Sequence, residues 1–365
     1  MEIIFILILI AAAIIIEYFS YMRNGRKGLS YRAEIGRSEV FEGDEVILTE
    51  VIVNDKLLPL PFVKTEIVAP AFLDFGIKAE KNKEGFCCIP SVFSIKGREK
   101  CRRVRKIKCT CRGIFEIGAS SLYGSDLFGL GEFIIPVTDA KVSLTVLPSP
   151  LSADDFSPDN RQLYGDILVR RFICEDPFLI NGAHEYSGRE PMNSISWNAS
   201  ARAGKLMAVN RDYTSCSKMI ILLNFQRRDD IVAPATEEVC ELMIKAAAFV
   251  MEMAEEMKAE FALVINIPDQ EPLTAGSGAG FRLEQLRRLA AVEADCYLRI
   301  EDFIMEQPVG EFTDVILITP TLSFESTDRL EDFKNQGLGV HAYAMHNESD
   351  ADFCSQITRR VKEDI

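Results

Sequence analysis

The chain has 365 residues, 48% of them hydrophobic and 26% charged, with a formal net charge of −14. That length holds two or three domains, and that composition excludes a disordered chain. The acidic balance speaks against nucleic acid as a partner, because a phosphate backbone would be repelled over most of the surface. The ten cysteines are scattered and do not make the dense framework of a small secreted domain, so they fit a reducing compartment.

The N-terminus gives the plainest physical signal. Ile3 to Ile16 is unbroken apolar sequence, and Tyr18, Phe19, Tyr21 and Met22 extend it past Glu17. A helix of about 20 residues crosses the ~30 Å hydrocarbon layer, so residues 1–22 read as a transmembrane anchor. A cleavable signal fits less well: Glu2 stands where Lys or Arg is expected, and no A-x-A-like site closes the run. Glu17 is expected to reach the headgroups, with Tyr18, Phe19 and Tyr21 in an interfacial belt. Arg23, Arg26 and Lys27 follow at once, and by the positive-inside rule they hold what comes after in the cytoplasm. The expectation is a single-pass cell-membrane protein with cytoplasmic soluble domains.

From about 29 to 150 the period is two. Strands are predicted at Glu45–Val53, Phe62–Val68, Phe86–Ile95, Val104–Cys111, Phe115–Leu122 and Val142–Leu147, with Gly, Pro and Asn-Asp between them. Short strands with regular turns predict an all-β sandwich. Cys87, Cys88, Cys101, Cys109 and Cys111 show C-C and C-x-C rather than zinc-type C-x2-C spacing, and read as small core residues. The basic run from Lys96 to Lys108 has two readings. Arg102, Arg103 and Arg105 could face anionic lipid headgroups, or the run could be a hairpin tip and the solvated face of a strand.

Residues 151–216 read as a connecting segment, and 217–365 alternate β and α. Met219–Phe225 is a doubly covered strand, and Pro234 opens a helix through Met257. Phe261–Ile267, Cys296–Ile300, Val315–Thr319 and Val340–Met345 are further strands. Phe281–Glu293, Glu325–Gln336 and Asp350–Lys362 are further helices. The pattern predicts an α/β, Rossmann-like or von Willebrand factor A-like, doubly wound sheet. Ligands bind such sheets at the carboxyl ends of the strands, where a metal-binding von Willebrand A domain carries D-x-S-x-S. Here Asn224, Gln226 and Arg228 occupy those positions, and an arginine in a ligand's place repels a cation. The glycine-rich loop Ala275–Gly280 is neither a dinucleotide fingerprint nor a Walker motif and reads as a flexible loop. No metal, cofactor or catalytic set is predicted. His184, His341 and His346 are far apart in sequence, and Cys174 with His184 is the nearest approach to a nucleophile and base.

The most distinctive stretch is Asp176–Leu223. It contains Glu185-Tyr186, Gly188-Arg189-Glu190 and the run Ile195-Ser196-Trp197-Asn198-Ala199-Ser200-Ala201-Arg202-Ala203-Gly204-Lys205-Leu206. With Arg112–Ile117 and Asp126–Leu130 upstream, these residues resemble the domain-of-unknown-function-58 family of bacterial proteins. Members of that family are von Willebrand A-like and often linked to MoxR-type AAA ATPases. Three departures stand out: Gly188-Arg189 in place of Gly-Asp, Asn198 in place of Lys, and no D-x-S-x-S. The resemblance implies a membrane-anchored accessory or scaffold protein, working with a MoxR-type ATPase in envelope-related assembly. Glu185, Tyr186, Trp197, Ser200, Arg202, Gly204 and Lys205 form its candidate motif. Trp197 is read either as a partner-contacting anchor or as interdomain packing, the sandwich against the sheet, with Arg202 bridging to Glu185 or a backbone carbonyl. The competing functional class is a hydrolase or transferase with its site in 176–211.

Overall fold

The computed structural model describes residues 2–77, 85–137, 140–151, 175–186, 194–213, 218–228, 231–268, 273–322 and 324–345. The chain divides into two units: Met1–Ser149 with Leu286–Ala291, and Pro150–Gln285 with Val292–Ile365.

The first unit begins with α1 (Glu2–Asn24). Its stretch Ile3–Asn24, with mean hydropathy 2.7, is long and apolar enough to cross a membrane. The last turns of α1 differ from the expected interfacial belt. Tyr21 is 2% exposed, and its hydroxyl donates to the Pro59 carbonyl at 2.8 Å. It joins a core cluster with Ile52, Leu60, Phe93 and Phe133. Glu17 accepts the Leu127 N–H at 2.8 Å instead of reaching outward. A long apolar ring with a hydroxyl at its tip is well served by such a site, where the ring is packed and the hydroxyl partnered.

Ten strands follow: β1 (Leu29–Ile35), β2 (Glu39–Phe41), β3 (Glu45–Asn54), β4 (Leu60–Pro70), β5 (Leu73–Asp74), β6 (Phe86–Ile95), β7 (Glu99–Cys109), β8 (Gly113–Ser125), β9 (Glu132–Pro136) and β10 (Val142–Leu147). They form two sheets, β1-β3-β7-β5 and β2-β10-β8-β4-β6, with β9 added to β8. All pairs are antiparallel except β2 with β10. Alternation explains the packing. Val46 and Leu48 of β3 point the same way as Ile107 and Cys109 of β7, and meet Ile67, Ile89, Ile117 and Leu144 from the other sheet. This is the expected sandwich, with β1, β2, β5 and β9 beyond the strands predicted. Each such fully buried aliphatic side chain contributes roughly 1.5–3 kcal/mol.

The second unit contains an antiparallel ribbon, β11 (Glu175–Glu185) with β12 (Met207–Tyr213), and between them the short helix α2 (Trp197–Ala203). The connecting segment thus carries secondary structure of its own. Next come β13 (Lys218–Leu223), the hairpin β14 (Gln226–Arg228) with β15 (Ile231–Pro234), and α3 (Glu237–Glu256). Pro234 therefore ends a strand, and α3 starts after Thr236. The remaining elements are β16 (Glu260–Ile265), α4 (Ala279–Ala291, of which Leu286–Ala291 is assigned to the first unit), α5 (Ile300–Met305), β17 (Asp314–Thr319), α6 (Phe324–Asn335) and β18 (Gly339–Ala344). The predicted strand over Cys296–Ile300 is not one: Ile300 opens α5. Asn266 holds both the N–H and the carbonyl of Leu298, which removes them from any sheet ladder. The helix expected over Asp350–Lys362 lies outside the described residues, as do Cys174, His346 and Gly188-Arg189.

The sheet of this unit is parallel throughout, in the order β16-β13-β17-β18. Because the order reverses at β13 and such crossovers are right-handed, the helices fall on both faces. Ile220, Leu222, Val315 and Leu317 pack against Ile300, Phe303, Leu330 and Phe333 of α5 and α6. α3 lies against β13, β16 and β17 with Val239, Met243, Ala247 and Val250 buried. A sheet covered on both faces requires continuous apolar strands, and all six residues of β17 are buried.

Candidate functional site

The Trp197 motif is held by polar side chains with identifiable tasks. Ser196 caps α2: its backbone is extended (φ −85°, ψ 99°) and its Oγ accepts the Ala199 N–H at 3.3 Å. Gly204 ends the helix in the left-handed region (φ 69°), with its N–H on the Ser200 carbonyl, a conformation that favours glycine. Ser200 fastens the helix to β12: its Oγ donates to the Ser196 carbonyl and accepts the Met207 N–H, both at 2.8 Å. Ile195 bridges to Ala208, and both are buried. Lys205, rather than Arg202, pairs with Glu185, at 2.5 Å. Both ends of that pair are more than half exposed, so it contributes little to stability. The Tyr186 N–H donates to the Leu206 carbonyl at 2.9 Å.

What remains is outward. Trp197 is 68% exposed, Leu206 is 47% exposed, Arg202 is exposed, and no residue of α2 is buried. Trp197 is therefore not a core residue of its own unit. A large exposed indole and, elsewhere on the same capped and fastened helix, a planar five-donor guanidinium offer contact area with little ordering left to do. His184, on β11, is exposed as well.

The carboxyl ends of the parallel strands hold a different arrangement. Asn224 and Gln226 are 1% and 2% exposed. The Asn224 Oδ1 accepts from Asn266 Nδ2 at 2.8 Å, and the Asn224 Nδ2 donates to Thr319 Oγ1 at 3.2 Å. The Gln226 Oε1 accepts the Ile300 N–H at 2.7 Å. The Asn266 side chain closes on Leu298 from both sides, at 2.7 and 2.9 Å. The carboxamide oxygens at the switch point are thus engaged with the unit's own donors. Arg228 forms the end of the β14 hairpin strand, paired with Ile231. Among the described residues, no group of three His, Cys, Asp or Glu is arranged to hold a metal ion. Cys296, beside this network, has its thiol pushed up to about 11 by burial and then by Asp295, which leaves it protonated rather than nucleophilic.

The glycine-rich loop is anchored. Gly276 exchanges two backbone hydrogen bonds with Phe261 at the start of β16, so its N–H is engaged within the sheet. A Cβ there would meet the Phe281 ring at 2.6 Å.

The three arginines of the basic run do not share a face, because β7 alternates. Arg102 is exposed, while Arg103 and Arg105 lie on the side of Ile107 and Cys109. Arg103 donates to the Val92 carbonyl at 2.6 Å and stacks over Phe93 at 4.2 Å. The Arg105 side chain is 14% exposed and bonds Glu50 Oε2 at 3.3 Å. It therefore does not face lipid. Sequence reasoning missed Glu50, which is 0% exposed between the sheets. Its carboxylate also accepts from Thr65 at 3.0 Å, Ser91 at 2.9 Å and Tyr31 at 3.3 Å. The available signal was a charged residue at an inward position of an otherwise apolar alternation. Cys109 is buried with its thiol pushed up to about 11, as a core cysteine should be.

No family model matches the chain, and no curated protein matches it. Among solved structures it is similar to a CARDB domain from Pyrococcus furiosus, determined in complex with di-metal ions, at 13% identity and a TM-score of 0.22, over 33% of this chain and 94% of that one. A cohesin module of a family 33 glycoside hydrolase from Clostridium perfringens is similar at 10% identity and a TM-score of 0.26, over 33% of this chain and 98% of that one. A type II cohesin domain from the Acetivibrio cellulolyticus cellulosome is similar at 10% identity and 0.25, over 32% and 94%. At these scores the likenesses bear on neither ligand nor partner.

Proposed function

We propose that this chain is a membrane-anchored accessory or scaffold protein of the domain-of-unknown-function-58 type, acting through protein–protein contact and not through catalysis. On this reading α1 is the single span, and Arg23, Arg26 and Lys27 hold both units in the cytoplasm. The second unit is a von Willebrand A-like module in which two of the metal positions, Asn224 and Gln226, belong to a buried amide network. The partner is a MoxR-type AAA ATPase, in envelope-related assembly.

The single observation that carries this reading is the exposure of Trp197, 68%, on a short helix capped by Ser196 and fastened to β12 by Ser200. Aromatic and arginine residues dominate binding energy where they are presented rigidly. The hydrolase or transferase reading finds no support in the described part of 176–211, where Ser200 is engaged at both its hydrogen and its oxygen by backbone groups. The test is recovery of the ATPase with the full-length, detergent-solubilised chain. The variant Trp197→Ala/Arg202→Ala is expected to lose the ATPase while keeping its melting temperature. Recovery equal to that of the parent chain would remove the helix from the interaction.

A further inference from the structure

The turn between β8 and β9 has an unusual composition for a solvent-facing loop. Leu127, Phe128 and Leu130 are 48%, 61% and 64% exposed. The turn is not loose. Asp126, 0% exposed, accepts the Gly131 N–H at 3.0 Å and its own N–H donates to the Gly131 carbonyl at 3.3 Å. Gly129 takes the left-handed region (φ 70°) at the tip.

This turn is fixed to α1 at a known height. The Leu127 N–H donates to Glu17 at 2.8 Å. Gly131 lies so close to the helix that a Cβ would sit 2.5 Å from the Tyr18 ring and 2.9 Å from the Met22 methyl. The apolar run between the carboxylates of Glu2 and Glu17 is 14 residues. As helix it spans only ~21 Å, about 9 Å less than the hydrocarbon layer. The missing length corresponds to about six more residues, which reaches Met22. The exposed cations Arg23, Arg26 and Lys27 begin there, at the height expected for headgroup phosphates. The turn, bound at Glu17, therefore lies about 9 Å to the hydrocarbon side of Arg23.

We propose that the Leu127–Leu130 turn is a membrane-inserted wedge, with Leu127, Phe128 and Leu130 in the acyl-chain region of the same leaflet that α1 crosses. The occupant is lipid, because the turn continues the apolar surface of the helix at bilayer depth. The alternative, thinning the bilayer to the 14-residue run, costs fractions of a kcal/mol for each ångström. Burying three apolar side chains is favourable instead. The Leu127 N–H also gives one oxygen of the Glu17 carboxylate, Oε1, a partner at a depth where an unpartnered charge is costly.

The inference rests on the reading of α1 as a span, and the test separates the two. The full-length chain, with Trp197→Phe to remove its only tryptophan, is reconstituted in phosphatidylcholine vesicles brominated either near the carbonyl end or near the middle of the acyl chain. Phe128→Trp reports the wedge and Ile10→Trp reports the span, with Leu130→Trp as a second wedge probe should Phe128→Trp not fold. The expected result is quenching of Ile10→Trp by the deep bromines, and of both wedge probes by the shallow ones, with blue-shifted emission. Ile10→Trp quenched with both wedge probes unquenched and red-shifted overturns the wedge and leaves the span. All probes unquenched overturns both.

Discussion

Each unit of this protein has a buried polar centre, and the two are built from opposite materials. In the sandwich the centre is ionic: Glu50 between Arg105, Thr65, Ser91 and Tyr31. In the α/β unit it is neutral: Asn224, Asn266, Gln226 and Thr319. A buried charge depends on its partner far more than a buried amide does, because a carboxylate left without its cation must stay desolvated and uncompensated or take up a proton. The comparison also bears on function. The neutral centre fills the place where a doubly wound sheet would hold a ligand, whereas the Trp197 helix of the same unit presents its indole outward.

The largest expected effect breaks the ionic centre. Arg105→Ala should destabilise the sandwich by about 3–5 kcal/mol, since Glu50 stays buried without its cation. Hydrogen exchange followed by mass spectrometry on the full-length chain should place the loss in β3, β4 and β7 alone. Asn266→Ala should destabilise the α/β unit by about 2 kcal/mol, with faster exchange confined to the segment around Leu298 and to β13 and β16. A larger loss for Asn266→Ala than for Arg105→Ala would reverse the comparison.

Alkaline pH sharpens the same contrast. Two buried thiols are shifted from 9.0 to about 11, Cys109 in the sandwich and Cys296 in the α/β unit. The sandwich also has Tyr31, raised from 10.0 by burial and then by the Glu50 charge. A raised folded value means that the unfolded chain ionises first. The associated stability is present below the unfolded value and is lost as pH rises through the folded one. Both units should weaken from about pH 9, and the sandwich should weaken further above about pH 10. Tyr31→Phe should remove only that second part. An unchanged pH profile in the variant would contradict the assignment.

Smaller effects belong to the motif. Gly204→Ala should cost about 1 kcal/mol, because its Cβ meets open space and only the left-handed backbone is strained. Trp197→Ala should change stability by less than about 0.5 kcal/mol.

The sequence was most informative where one face of an element is buried. Glu45–Val53 reads as a strand because Val46, Leu48 and Ile52 share the inner face, and that periodicity survives in β3. The parallel strands were readable from their apolar runs for the same reason. What escaped the sequence depends on contacts between distant segments. Cys296–Ile300 has strand-like residues, but Asn266, 32 positions from Leu298, takes the backbone groups that a strand would need. Arg105 looked like part of a surface charge run until β7 paired with β3 and turned it toward Glu50. Tyr21 looked interfacial until Pro59 supplied an acceptor 38 positions away. Within the Trp197 motif, Ser196 and Gly204 follow local capping rules, whereas the bond of Ser200 to Met207 exists only because β12 returns beside the helix.

The central claim is that the Trp197 helix is a presented recognition surface, and the protein carries its own reporter. Trp197 is the single tryptophan of the chain. Its emission in the purified full-length protein should be that of a solvated indole, open to acrylamide. Addition of a tryptophan-free MoxR-type ATPase should shift the emission to the blue and protect it from the quencher. Blue, protected emission before any partner is added, or a bound complex in which the emission does not move, would contradict the account.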